Sequence, residues 1–253
     1  MAEPALIVLT NDDGIDGPGL EALRLATSGL AHRVVFAPAA EHSGCGHSVT
    51  THAPIALTER SPGEFAVAGT PADAVRMALH RFGPRVAWIV SGINPGGNLG
   101  TDVHHSGTVA AVREGAFRGV PGIAVSHYIA RGRVVDWGLA AARCRSVVEA
   151  LMARPPGLGR FWNVNLPHPE PGGPEPGIAF CPVDPSPLPL AYVEDPGGAG
   201  LRYRGDYQGR PRRPDHDVEA CFGGRITVSL VSVVESAGMP GWPGPESGLD
   251  GII

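Results

Sequence analysis

The chain has 253 residues, of which 43% are hydrophobic, and a formal net charge of -5 at pH 7. This composition indicates a folded protein with a sizeable core and excludes wholesale disorder. The acidic balance disfavours stable nucleic-acid binding, which requires a basic surface to displace counterions. The sequence contains no lysine, and this excludes P-loop nucleotide hydrolases and Schiff-base enzymes.

Short apolar segments alternate with helical segments along the first two thirds of the chain. Residues 5–10 predict a strand buried on both faces, Pro18 begins a helix, and residues 33–37 predict a second strand. Further helices are predicted at 71–81, 108–118 and 136–153, and further strands at 86–91, 122–126 and 161–165. Because right-handed crossovers join such strands, the pattern predicts an α/β fold with a doubly wound, mostly parallel sheet.

The composition changes near Pro167, after which proline and glycine are frequent. Residues 190–193 and 201–204 flank a Pro-Gly-Gly turn and predict a protruding hairpin, and residues 225–233 alternate like a strand. We therefore divide the chain into a core (1–180), a Pro/Gly-rich segment that we call the excursion (181–224), and a returning strand with a short, irregular tail (225–253). Because an isolated hairpin is marginal in water, we expect the excursion to join subunits into a homodimer or homotetramer.

Cysteine usage and hydropathy give an expectation for the compartment. The four cysteines are far apart and form no CxxC pair. No signal-like start is evident, and no apolar run approaches the roughly 20 residues that span a bilayer. The sequence therefore predicts a cytoplasmic protein without a membrane partner.

Three polar clusters follow predicted strands, at 11–14, 41–44 and 91–100. Any one cluster is explained by ordinary turn chemistry, but ligands of parallel sheets bind where the carboxyl ends of the strands meet. Asp12 and Asp13 repel each other at neutral pH unless a cation lies between them. Oxygen ligands suit Mg²⁺, Mn²⁺ or Ca²⁺, whereas the spacing of the histidines does not suit zinc. His104 and His105 are interpreted as rim residues.

A possible anion site lies at 106–108, directly before a predicted helix. Free amides at a helix start, together with small hydroxyl side chains, bind anions, although a plain helix cap explains the same residues. A cation beside an anion site is the arrangement that hydrolyses phosphate esters.

Several ordered motifs resemble the SurE survival-protein family. They are TNDDGIDGPG at 10–19, GTPAD at 69–73, SGINPGGNLG at 91–100, SGTVAA at 106–111 and NVNLP at 163–167. The resemblance covers residues 5–167 and is patchy afterwards. It implies a Rossmann-like fold and a metal-dependent 5′-nucleotidase, a phosphatase that converts nucleoside 5′- and also 3′-monophosphates to nucleoside and phosphate.

The resemblance also implies site residues. One divalent cation, Mg²⁺ or Mn²⁺, is expected on Asp12, Asp13, Ser43 and Asn94, and the two aspartates are the expected catalytic residues. The expected phosphate-binding residues are Asn11, Gly44, Asn98, Ser106, Gly107 and Thr108. The sequence departs from the family in three respects. Cys45 stands where a small residue is usual, and His105 stands where members often carry an aromatic residue. The tail after Gly238 is shorter than the terminal helix that many members exchange between subunits.

Three alternatives remain at this stage. A HAD-like aspartyl-phosphate phosphatase would use Asp12 or Asp13 as a nucleophile, and a receiver-like phosphoacceptor also has an acidic pair after its first strand. Both normally need a lysine. A dinucleotide-binding module is disfavoured because no GxGxxG follows the first strand.

Overall fold

A computed structural model of the chain describes residues 4–170, 172–198 and 200–233. The strands are β1 (Leu6–Thr10), β2 (His32–Pro38), β3 (Leu57–Ser61), β4 (Glu64–Val67), β5 (Val86–Asn94), β6 (Gly122–His127), β7 (Arg160–Leu166), β8 (Ile178–Phe180), β9 (Tyr192–Glu194), β10 (Leu201–Tyr203) and β11 (Ile226–Ser232). The α-helices are α1 (Pro18–Ala26), α2 (Pro71–Phe82), α3 (Gly107–Phe117), α4 (Trp137–Met152) and α5 (Asp217–Phe222), and 3₁₀ helices span Gly83–Arg85 and Gly100–His104.

Nine of these strands form one sheet in the order β3-β4-β2-β1-β5-β6-β7-β11-β8. Strands β4, β2, β1, β5, β6 and β7 run parallel, whereas β3 and β11 pair antiparallel with β4 and β7. The chain winds outward from β1 in both directions, so the strand order reverses between β1 and β5. In open α/β sheets the ligand crevice lies at this reversal point.

Helices cover both faces of the sheet. Helices α1 and α4 bury Leu20, Leu23 and Val148 against one face, and α2 and α3 bury Val75 and Val112 against the other. Every residue of β1 is buried, as its apolar run from Leu6 to Leu9 predicts. The predicted Rossmann-like, doubly wound sheet is therefore confirmed.

Strand β5 is longer than its sequence predicted. The predicted strand ended at residue 91, but β5 continues to Asn94 with a register shift against β6. A Cβ atom at Gly92 would lie 2.2 Å from the carbonyl oxygen of Val125, so this position requires glycine. Asn94 is therefore the last residue of a strand, where its backbone is fixed, and not part of a free turn.

Beyond β7 the structure contains elements that the sequence did not predict. Strand β8 pairs with β11 at the edge of the sheet, and α5 leads into β11. The predicted hairpin is present as β9 and β10, which pair antiparallel with each other outside the main sheet. The predicted tail after Gly238 lies outside the described residues. Within the described ranges, no helix is both long and apolar enough to cross a membrane.

Candidate active site at the carboxyl ends of β1 and β5

A cleft of about 430 Å³ opens where the strand order reverses. Seven of the ten predicted site residues line it: Asp12, Asp13, Ser43, Gly44, Asn94, Asn98 and Ser106. Its other lining residues are Glu41, Pro95, Asp102, His105 and Leu188. The remaining predicted residues, Asn11, Gly107 and Thr108, are not among the lining residues.

Asp12 is held from behind by the first turn of α3. It is only 4% exposed, and Thr108 donates both its hydroxyl and its backbone N–H to the Asp12 carboxylate. A Cβ atom at Gly107 would lie 2.8 Å from the Cβ atom of Asp12, so glycine permits this approach. Gly107 and Thr108 therefore contact the aspartate, and their predicted role in phosphate binding stays a prediction.

Asp13 has no comparable support. Burial, then the charges of Asp12 and Glu41, raise the pKa of Asp13 to about 7. Its Oδ2 atom is buried and makes no hydrogen bond to the described residues. Burial also raises the pKa of Asp12, although its hydrogen bonds with Thr108 oppose the shift. Asp12 and Asp13 thus place two carboxylates side by side, and Oδ2 of Asp13 makes no hydrogen bond to the described residues. A bound cation would stabilise the ionised form of both carboxylates.

Two uncharged side chains, those of Asn94 and Ser43, bring oxygen atoms that could bind a cation to the same cleft. Asn94 donates Nδ2 to the carbonyl oxygen of Gly96 at 2.7 Å, which leaves its Oδ1 atom as an acceptor. Ser43 lies on the exposed loop after β2 and donates its hydroxyl to Glu41 at 2.7 Å. Among the described residues, no group of three or more His, Cys, Asp or Glu side chains is arranged to hold a metal ion. A cation here would therefore depend on serine and amide oxygens besides the two aspartates.

The loop that carries Ser43 is fixed by the start of α2. The Asp73 carboxylate accepts hydrogen bonds from the backbone N–H and the hydroxyl of Thr50, at 2.9 and 2.8 Å. Asp73 also forms a capping box with Thr70, whose hydroxyl donates to the carbonyl oxygen of Ser48 at 2.7 Å. The GTPAD motif at 69–73 thus holds the loop in place and does not contact the cleft.

Asn98 is fixed by polar side chains from β6 and β7. Its backbone N–H donates to Asn165 at 2.8 Å, and its Nδ2 atom donates to Ser126 at 2.7 Å. Its carbonyl oxygen accepts from Asn163 at 2.9 Å and from Asn165 at 3.1 Å. The NVNLP motif therefore orients the loop after β5, because the side chains of Asn163 and Asn165 form hydrogen bonds with the backbone of Asn98.

The excursion also reaches this loop. Asp102 accepts hydrogen bonds from the buried Arg210 guanidinium at 2.7 Å and from the Tyr207 hydroxyl at 2.9 Å. Burial and the neighbouring Asp102 raise the pKa of Tyr207, so this phenol stays protonated and donates. Asp217 accepts from the backbone N–H of Gly100 at 2.9 Å. Sequence reasoning did not predict these contacts, because the partners lie more than 100 positions apart in the chain and give no local signal.

Two other expectations concern Asn11 and Cys45. Asn11 is fully buried and donates Nδ2 to the carbonyl oxygen of Gly14 at 2.7 Å, so it shapes the turn behind the cleft. Cys45 is half-buried, and burial together with the charge of Asp12 raises the pKa of its thiol. A thiol held in its protonated form is a poor nucleophile, which agrees with the interpretation of Cys45 as a small local substitution.

Comparisons with known proteins agree with this geometry. The family model of survival protein SurE matches residues 7–184. A protein of Nostoc sp. (strain PCC 7120) is 49% identical over 227 residues, which cover 90% of this chain and 99% of the relative. The 5′-nucleotidase SurE of Rhizorhabdus wittichii is 39% identical over 236 residues, covering 88% of this chain and 91% of the relative. The crystal structure of the SurE protein from Aquifex aeolicus has a TM-score of 0.78 and 29% identity, covering 90% of this chain and 93% of that chain.

Proposed function

Because the chain belongs to the survival protein SurE family, we propose that it is a metal-dependent 5′-nucleotidase. It hydrolyses nucleoside 5′-monophosphates, and also 3′-monophosphates, to nucleoside and phosphate. The observation that carries this proposal is the Asp12–Asp13 pair, whose second member has a buried carboxylate oxygen without a hydrogen bond to the described residues. The pair lies in a cleft with hydroxyl and amide groups, a combination that suits cation-assisted hydrolysis of phosphate esters.

The donor set fits a hard divalent cation. Asp12 and Asp13 would supply carboxylate oxygens, Asn94 its free Oδ1 atom and Ser43 its hydroxyl oxygen. This all-oxygen set is typical of Mg²⁺ or Mn²⁺. When bound, such a cation stabilises charge on the phosphoryl oxygens and lowers the pKa of a water molecule.

The two aspartates have different roles in this proposal. The Asp12 carboxylate already accepts two hydrogen bonds from Thr108, and these fix its orientation. Asp13 has an oxygen without such a partner, so it is the residue free to accept a proton from an attacking water. We therefore assign Asp12 to positioning the cation and Asp13 to cation binding and proton transfer.

Other residues of the cleft bind the phosphate group in this proposal. The Ser106 hydroxyl oxygen accepts the backbone N–H of Val109 at 3.0 Å, which leaves its hydrogen free to donate to a phosphate oxygen. Asn98 donates one amide hydrogen to the Ser126 hydroxyl oxygen, and its second amide hydrogen is available to a phosphate oxygen. Gly44 presents its backbone to the cleft without a side chain. Fixed donors of this kind stabilise developing negative charge without reorganisation.

A phosphate-release assay tests the proposal. We expect release from adenosine 5′-monophosphate to stop in excess EDTA and to return with Mg²⁺ or Mn²⁺. EDTA that is saturated with Mg²⁺ beforehand is the control, and it should not inhibit. Full activity in excess free chelator would contradict the cation-dependent mechanism, and no release from any nucleoside monophosphate would contradict the proposed activity.

A further inference from the structure

The cleft has a polar region and a small apolar wall. The carboxylates, hydroxyls and amides described above account for most of its lining, whereas Leu188 and Pro95 have no side-chain donor or acceptor. Leu188 is half-buried and comes from the excursion, while Pro95 follows β5. An apolar side chain gains nothing from contact with a phosphate group, so this wall suits another part of the substrate.

The position of Leu188 is fixed from both sides. On its amino-terminal side, the buried Asp184 accepts the backbone N–H groups of Ser186 at 2.8 Å and Arg213 at 2.7 Å. On its carboxyl-terminal side, the Tyr203 hydroxyl donates to the carbonyl oxygen of Pro189 at 3.0 Å. Prolines on either side of Leu188 restrict its backbone further. Leu188 is therefore held in place before any substrate binds, which lowers the entropic cost of a contact.

Besides the contacts with Asp102, the buried Asp217 carboxylate also joins the excursion to the loop after β5. Asp217 accepts the backbone N–H of Asp184 at 2.8 Å and that of Gly100 at 2.9 Å. Gly100 follows the loop that carries Pro95 and Asn98, so this loop and the segment before Leu188 are bound to the same carboxylate. A substrate bound through its phosphate in the cleft would present its remaining part at a constant distance from Leu188.

We infer that Leu188, together with Pro95, binds the nucleobase of the substrate, an inference that rests on the proposed nucleotidase function. The base is the apolar, planar part of a nucleoside monophosphate, and burying it against Leu188 contributes affinity in proportion to the area covered. Because neither side chain can form hydrogen bonds with a base, the contact favours the larger purines and otherwise discriminates weakly between bases.

Steady-state kinetics with and without the base test this inference. For adenosine 5′-monophosphate, we expect Leu188→Ala to raise KM roughly tenfold and to leave kcat unchanged, since the lost contact is the same in the ground and transition states. Ribose 5-phosphate, which lacks the base, should be hydrolysed equally by the variant and the unaltered protein. Leu188→Met should restore the KM for the nucleotide, because it keeps an apolar side chain of similar volume.

Leu190→Ala is the matched control, because Leu190 lies two residues away and is 89% exposed outside the cleft. Leu190→Ala should change neither KM nor kcat for either substrate. An equal effect of Leu188→Ala on both substrates, or no effect on the nucleotide, would overturn the inference. If the unaltered protein hydrolyses adenosine 5′-monophosphate but Leu188→Ala leaves its KM unchanged, the base-binding inference fails alone. If the unaltered protein hydrolyses no nucleotide, the proposed function fails and the inference with it.

Discussion

The rim of the core and the excursion line the same cleft with different chemistry. The rim, formed by the loops after β1, β2 and β5, brings the carboxylates of Asp12, Asp13 and Glu41 together with Ser43, Asn94 and Asn98. The excursion brings one leucine to the lining, and its Tyr207 and Arg210 hold the loop after β5 from outside. The comparison separates residues suited to chemistry from residues suited to positioning and recognition, and each class responds differently to substitution.

The largest effect is expected at Asp13, on the rim. We expect Asp13→Asn to reduce turnover by at least ~100-fold, the scale of losing a main electrostatic contribution to catalysis. Asp16→Asn is the matched control, because Asp16 lies in the same turn but pairs with Arg60 on the surface at 2.6 Å. It should leave turnover unchanged. A near-normal rate for Asp13→Asn would remove this residue from the proposed mechanism.

Asp13→Asn is also expected to change how the stability of the metal-free protein depends on pH. A carboxyl whose pKa is raised on folding stabilises the folded state at low pH, and this stabilisation is lost as pH rises through the folded value. Because the pKa of Asp13 is raised from 3.8 to about 7, the loss should extend over this interval. The melting temperature of the metal-free protein should therefore fall less with rising pH in Asp13→Asn than in the unaltered protein. Parallel pH profiles for the two proteins would contradict the raised pKa of Asp13 in the folded state.

The next largest effect is expected at Arg210, in the excursion. Arg210→Ala leaves the Asp102 carboxylate without its buried partner, so the free energy of unfolding should fall by about 3–5 kcal/mol. Turnover should fall roughly 10- to 100-fold, because the loop after β5 loses its support. Denaturant unfolding and steady-state kinetics measure the two effects. Arg204→Ala, at an exposed position of the same segment, is the control. Unchanged stability and rate in Arg210→Ala would show that the excursion does not position the loop.

A more selective change removes the hairpin and keeps the residues that contact the cleft. The hairpin region exposes large apolar side chains: Leu190, Tyr192, Val193, Leu201 and Tyr203. We propose that these join two subunits, since contiguous exposed apolar surface is typical of an interface. Replacing residues 191–204 by a short Gly/Ser loop should convert a dimer or tetramer into a monomer and preserve kcat. It also removes the Tyr203 hydrogen bond to Pro189, so the KM for the nucleotide should rise.

Light scattering at micromolar concentration checks the assembly. An intact protein that is monomeric would contradict the proposed dimer or tetramer. A trimmed protein that keeps its assembly would show that another surface joins the subunits, and a trimmed monomer that loses turnover would show that assembly completes the site.

The smallest effect is expected at Cys45, on the rim. Cys45→Ala should change kcat/KM by less than about twofold, because the thiol is held protonated and its Sγ donates to the carbonyl oxygen of Gly46. Loss of turnover with normal cation binding would contradict the assigned roles and require a thiol-based mechanism.

The sequence by itself determined the parallel sheet and most of the rim. Apolar strands that end in Asn, Asp, Ser and Gly are local patterns, and the carboxyl ends of parallel strands meet at one edge whatever their loops do. Asp12, Asp13, Ser43 and Asn94 were therefore predictable as neighbours. The sequence did not predict β3, β4, β8 or α5, because short or exposed elements carry weak periodicity.

Only the tertiary structure decided which polar groups face the cleft and which support it. Thr108 and Asn11 fit a phosphate site by residue type, yet Thr108 contacts Asp12 and Asn11 closes the turn. Leu188 and Arg210 carry no local signal, because their partners lie about 100 residues away in the chain. A side-chain hydrogen bond between distant segments depends on how the loops pack above the sheet, and residue types alone do not encode that packing.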